Sequence, residues 1–307
     1  MHDQDSHADH GHSLAEDLTL LKAMVARRRA LKWFAGAGTA ALVAGCGGEG
    51  SGDASTSSVT TVTGATPTPT PTATATPTPT PTATATSSGS CIVDPTETAG
   101  PYPADGTNTS SGSTSNVLTV SGIVRSDIRP SFVSTTTVAT GVQVKITITM
   151  VNVNATCAPL AGYAVYLWHA DRQGHYSLYT AAAESYLRGV QVTDANGQVT
   201  FTTIFPAAYD GRWPHMHFEV FFSLSNALGG RYAVLTSQFA MPSAVCTAVY
   251  TDTTTYPSSA SIFSRVSLST DNVFGDNTAA QLAQQTPTFT GSPSAGYTAT
   301  ALIGIAR

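Results

Sequence analysis

A ten-residue block, TPTPTPTATA, occurs at 66–75 and again at 76–85, and it restricts the fold of this chain more than any other feature. Alternating proline favours extended polyproline II, so these twenty residues reach about 60 Å at about 3.1 Å per residue. Residues 46–90 hold almost no large apolar side chain and cannot offset the entropy of ordering by burial. The threonine content also suits a glycosylated, mucin-like stalk, and in both readings the segment is a spacer. A core can therefore form only from Cys91 to Arg307, 217 residues.

Residues 1–45 read as an address. Arg27-Arg28 with Leu31-Lys32 makes a twin-arginine export pattern. The apolar run from Trp33 to Val43 is shorter than the roughly 20 residues a membrane span needs. Val43-Ala44-Gly45-Cys46 is similar to a bacterial lipobox, which predicts lipidation at Cys46 and an exported protein held at the cell surface or the periplasmic membrane face. His2, His7, His10 and His12 would leave with this leader.

The formal charge of -5, with only 11% charged residues, argues against a nucleic-acid partner. In 91–307, Val142–Val151 alternates polar and apolar residues, the period of a half-buried strand. Ala164–Trp168 reads as a more buried strand, and Met216–Leu224 and Ala233–Phe239 as further ones. Leu187–Thr193 and Gln198–Ile204 flank Asp194-Ala195-Asn196-Gly197, whose Asn-Gly predicts a tight hairpin. Short strands without a long amphipathic helix predict an all-β fold, an antiparallel β-sandwich with long loops. The Ser/Thr/Asn-rich stretch 251–296 reads as loop. Cys91, Cys157 and Cys246 in an oxidising compartment predict one disulfide and one thiol, with all three pairings open.

Two stretches concentrate the chemistry, Trp168–Tyr176 and Thr203–Phe218. Strand alternation puts His215 and His217 on one face, about 6.6 Å apart along the strand, and Met216 on the other. Such a pair spans one metal ion. Alone, a His-x-His is weak, but these are two of four histidines beyond Cys46, in an apolar strand where imidazoles need partners.

These residues resemble the intradiol ring-cleavage dioxygenases, the catechol and protocatechuate type, in particular the extracytoplasmic branch. The pattern is carried by Trp168, Ala170, Gly174 and Tyr176, then Pro206 and Tyr209, then Arg212, His215 and His217. Glu97-Thr98-Ala99-Gly100-Pro101-Tyr102 resembles the family's T-x-G-P-Y segment, and Leu187-Arg188-Gly189, Thr193-Asp194 and Thr236-Ser237-Gln238 extend the likeness. His169 stands where ring-cleavage enzymes often carry Gln, and both His169 and His175 read as supporting or edge positions.

The resemblance implies a ferric ion, Fe(III), held by Tyr176, Tyr209, His215 and His217. Two phenolates offset much of its charge and favour ferric over ferrous iron. It further implies that a catechol-type aromatic diol is cleaved with O2 to a cis,cis-muconate-type product. Tyr209 would be the ligand that leaves and takes up a substrate proton, Arg212 would stabilise charge developing on the ring, and Gln238 would lie near the oxygen pocket. Tyr102 reads equally as substrate contact or packing. The competing reading is a membrane-tethered β-sandwich that binds or adheres without turnover.

Overall fold

A computed structural model describes residues 91–230 and 232–307. The leader (1–45) and the Thr/Pro-rich segment (46–90) lie outside the described residues.

Among the described residues, nine strands form two stacked sheets: β1 (Gln143–Asn152), β2 (Ala158–Pro159), β3 (Ala164–Trp168), β4 (Arg188–Val192), β5 (Gln198–Ile204), β6 (His215–Phe221), β7 (Leu235–Ala240), β8 (Thr288–Ser292) and β9 (Gly296–Ile305). The first sheet runs β2-β1-β9-β8, with β5 also paired to β1; the second runs β4-β3-β6-β7. The sandwich expectation holds, although β1 and β9 pair in parallel, so the first sheet is mixed.

Between the sheets lies one core. Val144, Ile146 and Ile148 of β1 and Phe201 of β5 meet Leu167 of β3, Met216 and Phe218 of β6 and Phe239 of β7. Fully burying each such side chain contributes about 1.5–3 kcal/mol. The second sheet is covered on its outer face as well. Tyr166 and Trp168 point outward there and pack with Val117, Leu118, Tyr176 and Tyr179. The cover is the arm before β1 and the loop between β3 and β4, and the arm also bonds both edges of the sheet. Arg125 N–H donates to Val190 O at 3.1 Å and Glu97 N–H to Thr236 O at 2.8 Å. Capping both edges removes unpaired ladder groups.

Two expectations need correction. Residues 194–197 do turn, with the Gly197 N–H on Asp194 O at 2.9 Å and the Asn196 and Gln198 N–H groups on Asp194 Oδ1. Yet the flanking strands form no hairpin ladder, because β4 pairs with β3 and β5 pairs with β1 in the opposite sheet. Turn chemistry fixes a local reversal; which backbone each strand then pairs with is set by the apolar faces it must bury.

The stretch 251–296 is likewise not all loop. After α1 (Leu224–Leu228) and α2 (Ser243–Val249) come α3 (Ser259–Phe263), α4 (Ala279–Gln285) and β8. Thr278 and Gln281 form a capping box at the start of α4, so polar side chains that suggest a loop are here satisfying helix-end amides.

The disulfide joins Cys91 to Cys157, whose Cα atoms are 5.9 Å apart, and Cys246 is the buried thiol. No helix among the described residues is long and apolar enough to cross a membrane.

Candidate metal centre

β6 is buried along its whole length, and its alternation is divided between two environments. Met216, Phe218 and Val220 enter the inter-sheet core. His215 and His217 face the covered outer side, as the period-2 reading requires. Register then sets their neighbours. Arg188 of β4, Trp168 of β3, His217 of β6 and Gln238 of β7 are consecutive cross-strand partners, one row across the sheet. Trp168 stacks on the His217 ring at 5.0 Å with 7° between planes.

The two tyrosines arrive on loops. Asp171 Oδ1 accepts the N–H groups of Gln173 and His175 and so closes the turn ahead of Tyr176. Gly174 has φ +86°, and a Cβ there would lie 3.2 Å from Tyr209 Cβ, so glycine permits both the turn and the approach of the second loop. That loop, 205–214, is tied down by Tyr256 Oη donating to Phe205 O and Tyr250 Oη donating to Pro206 O. Gly100 in the arm packs over His217 Cε1.

The four sequence-predicted donors converge. Tyr209 Oη is 2.9 Å from His215 Nε2, which is 3.0 Å from His217 Nε2. His217 Nε2 is 3.0 Å from Tyr176 Oη, which lies 3.2 Å from Tyr209 Oη. Atoms about 2.0–2.1 Å from a common ion stand about 3 Å apart, so this closed ring has ligand dimensions.

Proton accounting shows why the ring suits a cation. His215 Nδ1 donates to Trp213 O, which leaves Nε2 as a bare lone pair. His217 Nδ1 has no hydrogen-bond partner among the described residues. Even with the His217 proton on Nε2, the ring holds three protons for its four contacts. One contact is then lone pair against lone pair, whereas a central cation satisfies all four. No cluster of three or more His, Cys, Asp or Glu suited to a metal occurs among the described residues; half of the donors here are phenolic.

The electrostatics agree. Burial, followed by the Arg212 charge, pushes His215 down to about 3. Burial and His215 hold His217 well below the usual imidazole range. Burial first, and then Tyr209, pushes the Tyr176 phenol well up; burial also raises Tyr209. All four are neutral at neutral pH, and only a strong positive charge among them would draw off the phenol protons.

Arg212 and Gln238 stand beside the ring. Arg212 Nη2 donates to Gln238 Oε1 at 2.7 Å, and Gln238 Nε2 donates to Thr98 O at 2.8 Å. The Tyr102 ring packs tilted against Tyr176, with ring centroids 4.8 Å apart, so the arm contacts a predicted ligand. His169 is a buried supporting residue, its Nδ1 bonded to Ala170 O and its Nε2 to Thr203 Oγ1. The His175 side chain is half exposed at the edge, 4.0 Å from Asp171.

Sequence reasoning assigned no role to Arg188 or Asp271. All five Arg188 donor hydrogens have acceptors: Ser177 Oγ and O, Pro103 O, Tyr166 Oη and Tyr102 O. It joins the arm to the residue after Tyr176, and its signal was a lone arginine in an apolar strand. Asp271 accepts Arg212 Nε at 2.9 Å from inside the stretch read as loop.

Residues 126–227 match the family model described as Dioxygenase, a span that contains the four donors and Arg212 and ends before Gln238. Among solved structures the chain is similar to an intradiol ring-cleavage dioxygenase from Tetranychus urticae, at 23% identity and TM-score 0.52, over 70% of this chain and 95% of that one. A second structure, described as a dioxygenase, matches at 23% identity and TM-score 0.51 over the same shares. At this identity the structural likeness establishes a shared fold.

Proposed function

We propose that this chain is an intradiol ring-cleavage dioxygenase, and thus an oxidoreductase, that uses Fe(III) to cleave a catechol-type diol with O2; the motifs, the match to the Dioxygenase family model and the shared fold support this reading. Both oxygen atoms would enter a cis,cis-muconate-type diacid. Tyr176, Tyr209, His215 and His217 hold the ion. When bound, ferric iron supplies electron withdrawal from a catechol dianion, which opens the ring to O2.

The protein's own residues do the rest. Trp168 fixes the His217 plane by stacking, and Trp213 O fixes the His215 tautomer. Tyr209, the more exposed phenol, takes a substrate proton at Oη. Arg212 places positive charge beside the ring position, worth about 3–4 kcal/mol in a dry site. Gln238 has both ends of its amide engaged and works by holding Arg212. Lipid anchoring at Cys46 outside the cytoplasm completes the reading, and the Cys91–Cys157 disulfide supports an oxidising compartment.

The observation that supports this function best is the closed ring of four donors, one proton short of its contacts. A domain that only binds or adheres has no use for it. Elemental analysis, visible absorption and oxygen uptake across a panel of catechols and hydroxyquinols form the test. Stoichiometric iron, a red-brown tyrosinate band and diol-dependent uptake are expected. Protein that is colourless after loading with ferric iron, with no uptake, overturns the reading.

A further inference from the structure

Arg212 follows Gly211, whose φ is +81°, at the solvent-facing end of the 205–214 loop. A long flexible cation in such a place, repelled by any metal cation at the neighbouring donors, has every reason to swing into water. It is instead held at two of its three nitrogens. Nη2 is on Gln238, and Nε is on Asp271 Oδ2 at 2.9 Å; Nη1 has no hydrogen-bond partner among the described residues. The Asp271 side chain is fully buried and accepts four hydrogen bonds. Oδ2 takes Arg212 Nε and the Trp213 N–H at 2.7 Å, and Oδ1 takes the N–H groups of Val273 and Phe274. Trp213 is also the residue whose carbonyl fixes His215, and the Phe274 ring lies 6.4 Å from the His215 ring and 6.0 Å from the Arg212 guanidinium carbon.

We infer that Asp271 is a positioning residue: one buried carboxylate fixes the Arg212 guanidinium with its Nη1 edge free for an anionic substrate. This rests on the proposed ring-cleavage function. Asp271→Asn retains one acceptor oxygen for Val273 and Phe274 but turns a donor amide toward Arg212 and Trp213, and so releases the cation.

The test combines kinetics with a measurement that needs no iron. Asp271→Asn is expected to lower kcat about 10- to 100-fold, as a misplaced charged group does, with KM within about threefold and the tyrosinate band retained. Adding Arg212→Ala should cost no more than Arg212→Ala alone, because Asp271 acts through Arg212. In metal-free parent protein, the Arg212 Nε–H resonance, assigned by its loss in Arg212→Lys, should exchange more slowly than that of exposed Arg265. Unchanged kcat in Asp271→Asn, additive losses in the double variant, or Arg212 Nε–H exchange as fast as that of Arg265 each overturn the inference. Parent protein without iron or oxygen uptake would sink the ring-cleavage function instead, and the exchange rate would still decide the Asp271 contact.

Discussion

The two sheets of this sandwich share a core and differ in what lies behind them. β1 of the first sheet alternates, with Val144, Ile146 and Ile148 inside and Gln143 and Lys145 exposed, as in any sheet with one wet face. β6 of the second sheet is buried at all seven positions, and its outward side chains are His215, His217, Glu219 and Phe221. The chain spends its arm and two loops on covering that second face. The result is a dry slot where two imidazoles and two phenols stay neutral and near enough to share one ion. The wet sheet supports, and the covered sheet carries the candidate metal donors.

The largest expected effect separates the two faces outright. His217→Ala or Tyr176→Phe removes one ring donor, and both the tyrosinate band and oxygen uptake with catechol should vanish. Full activity in His217→Ala would break the assignment of the covered face.

Next is the Cys91–Cys157 bond, beyond the end of β1. Replacing both cysteines by serine should cost about 4 kcal/mol for a loop of this length, read as a lower urea midpoint with iron content unchanged. Loss of iron at full stability would show that the two sides are coupled more tightly than their packing suggests. Close in size is Arg212→Ala, for which a 10²- to 10³-fold fall in kcat with the colour kept is expected from losing preorganised charge.

A buried carboxylate on the first-sheet side tests whether burial alone perturbs acids. Asp94 bonds the Gly304 N–H of β9, and burial pushes its carboxyl up to about 7. The folded state then binds more protons than the unfolded chain between about pH 4 and 7, so this group makes stability fall as pH rises through that window. Asp94→Asn should remove on the order of 4 kcal/mol of pH dependence across this window, measured as Tm across pH, while the pH profile of turnover stays in place. A slope that persists in the variant would assign it to another group. The smallest effect belongs to the wet face. Thr147→Val, which breaks the Thr147–Thr200 hydroxyl contact at 3.0 Å, should change stability by less than about 0.5 kcal/mol and leave activity untouched.

Legibility in the sequence followed the range of the interaction. Alternation in β1 and the His215/His217 pairing on one face are local, fixed by Cβ directions two residues apart, and both were readable. The four donors were readable only through the resemblance to a known family, not from periodicity. The turn at 194–197 was readable as a turn, but its strands part to opposite sheets. α4 was hidden because Thr278, Gln281 and Gln285 look like loop residues until their backbone and side-chain partners are known. Arg188 and Asp271 were visible only as one charge in a strand and one acid in a polar stretch.

The amino-acid order alone put the His pair on one face and read 91–307 as a β-sandwich, and through its resemblance to a family it pointed to four side chains with the chemistry of metal donors. Folding in three dimensions decided that Cys157 rather than Cys246 meets Cys91, that Gln238 stands beside His217, and that Asp271 holds Arg212. The physical reason is separation: Cys91 and Cys157 are 66 residues apart, and Asp271 reaches Arg212 across a gap of 59. No periodicity or propensity encodes a contact of that length; it exists only once the chain has folded in three dimensions.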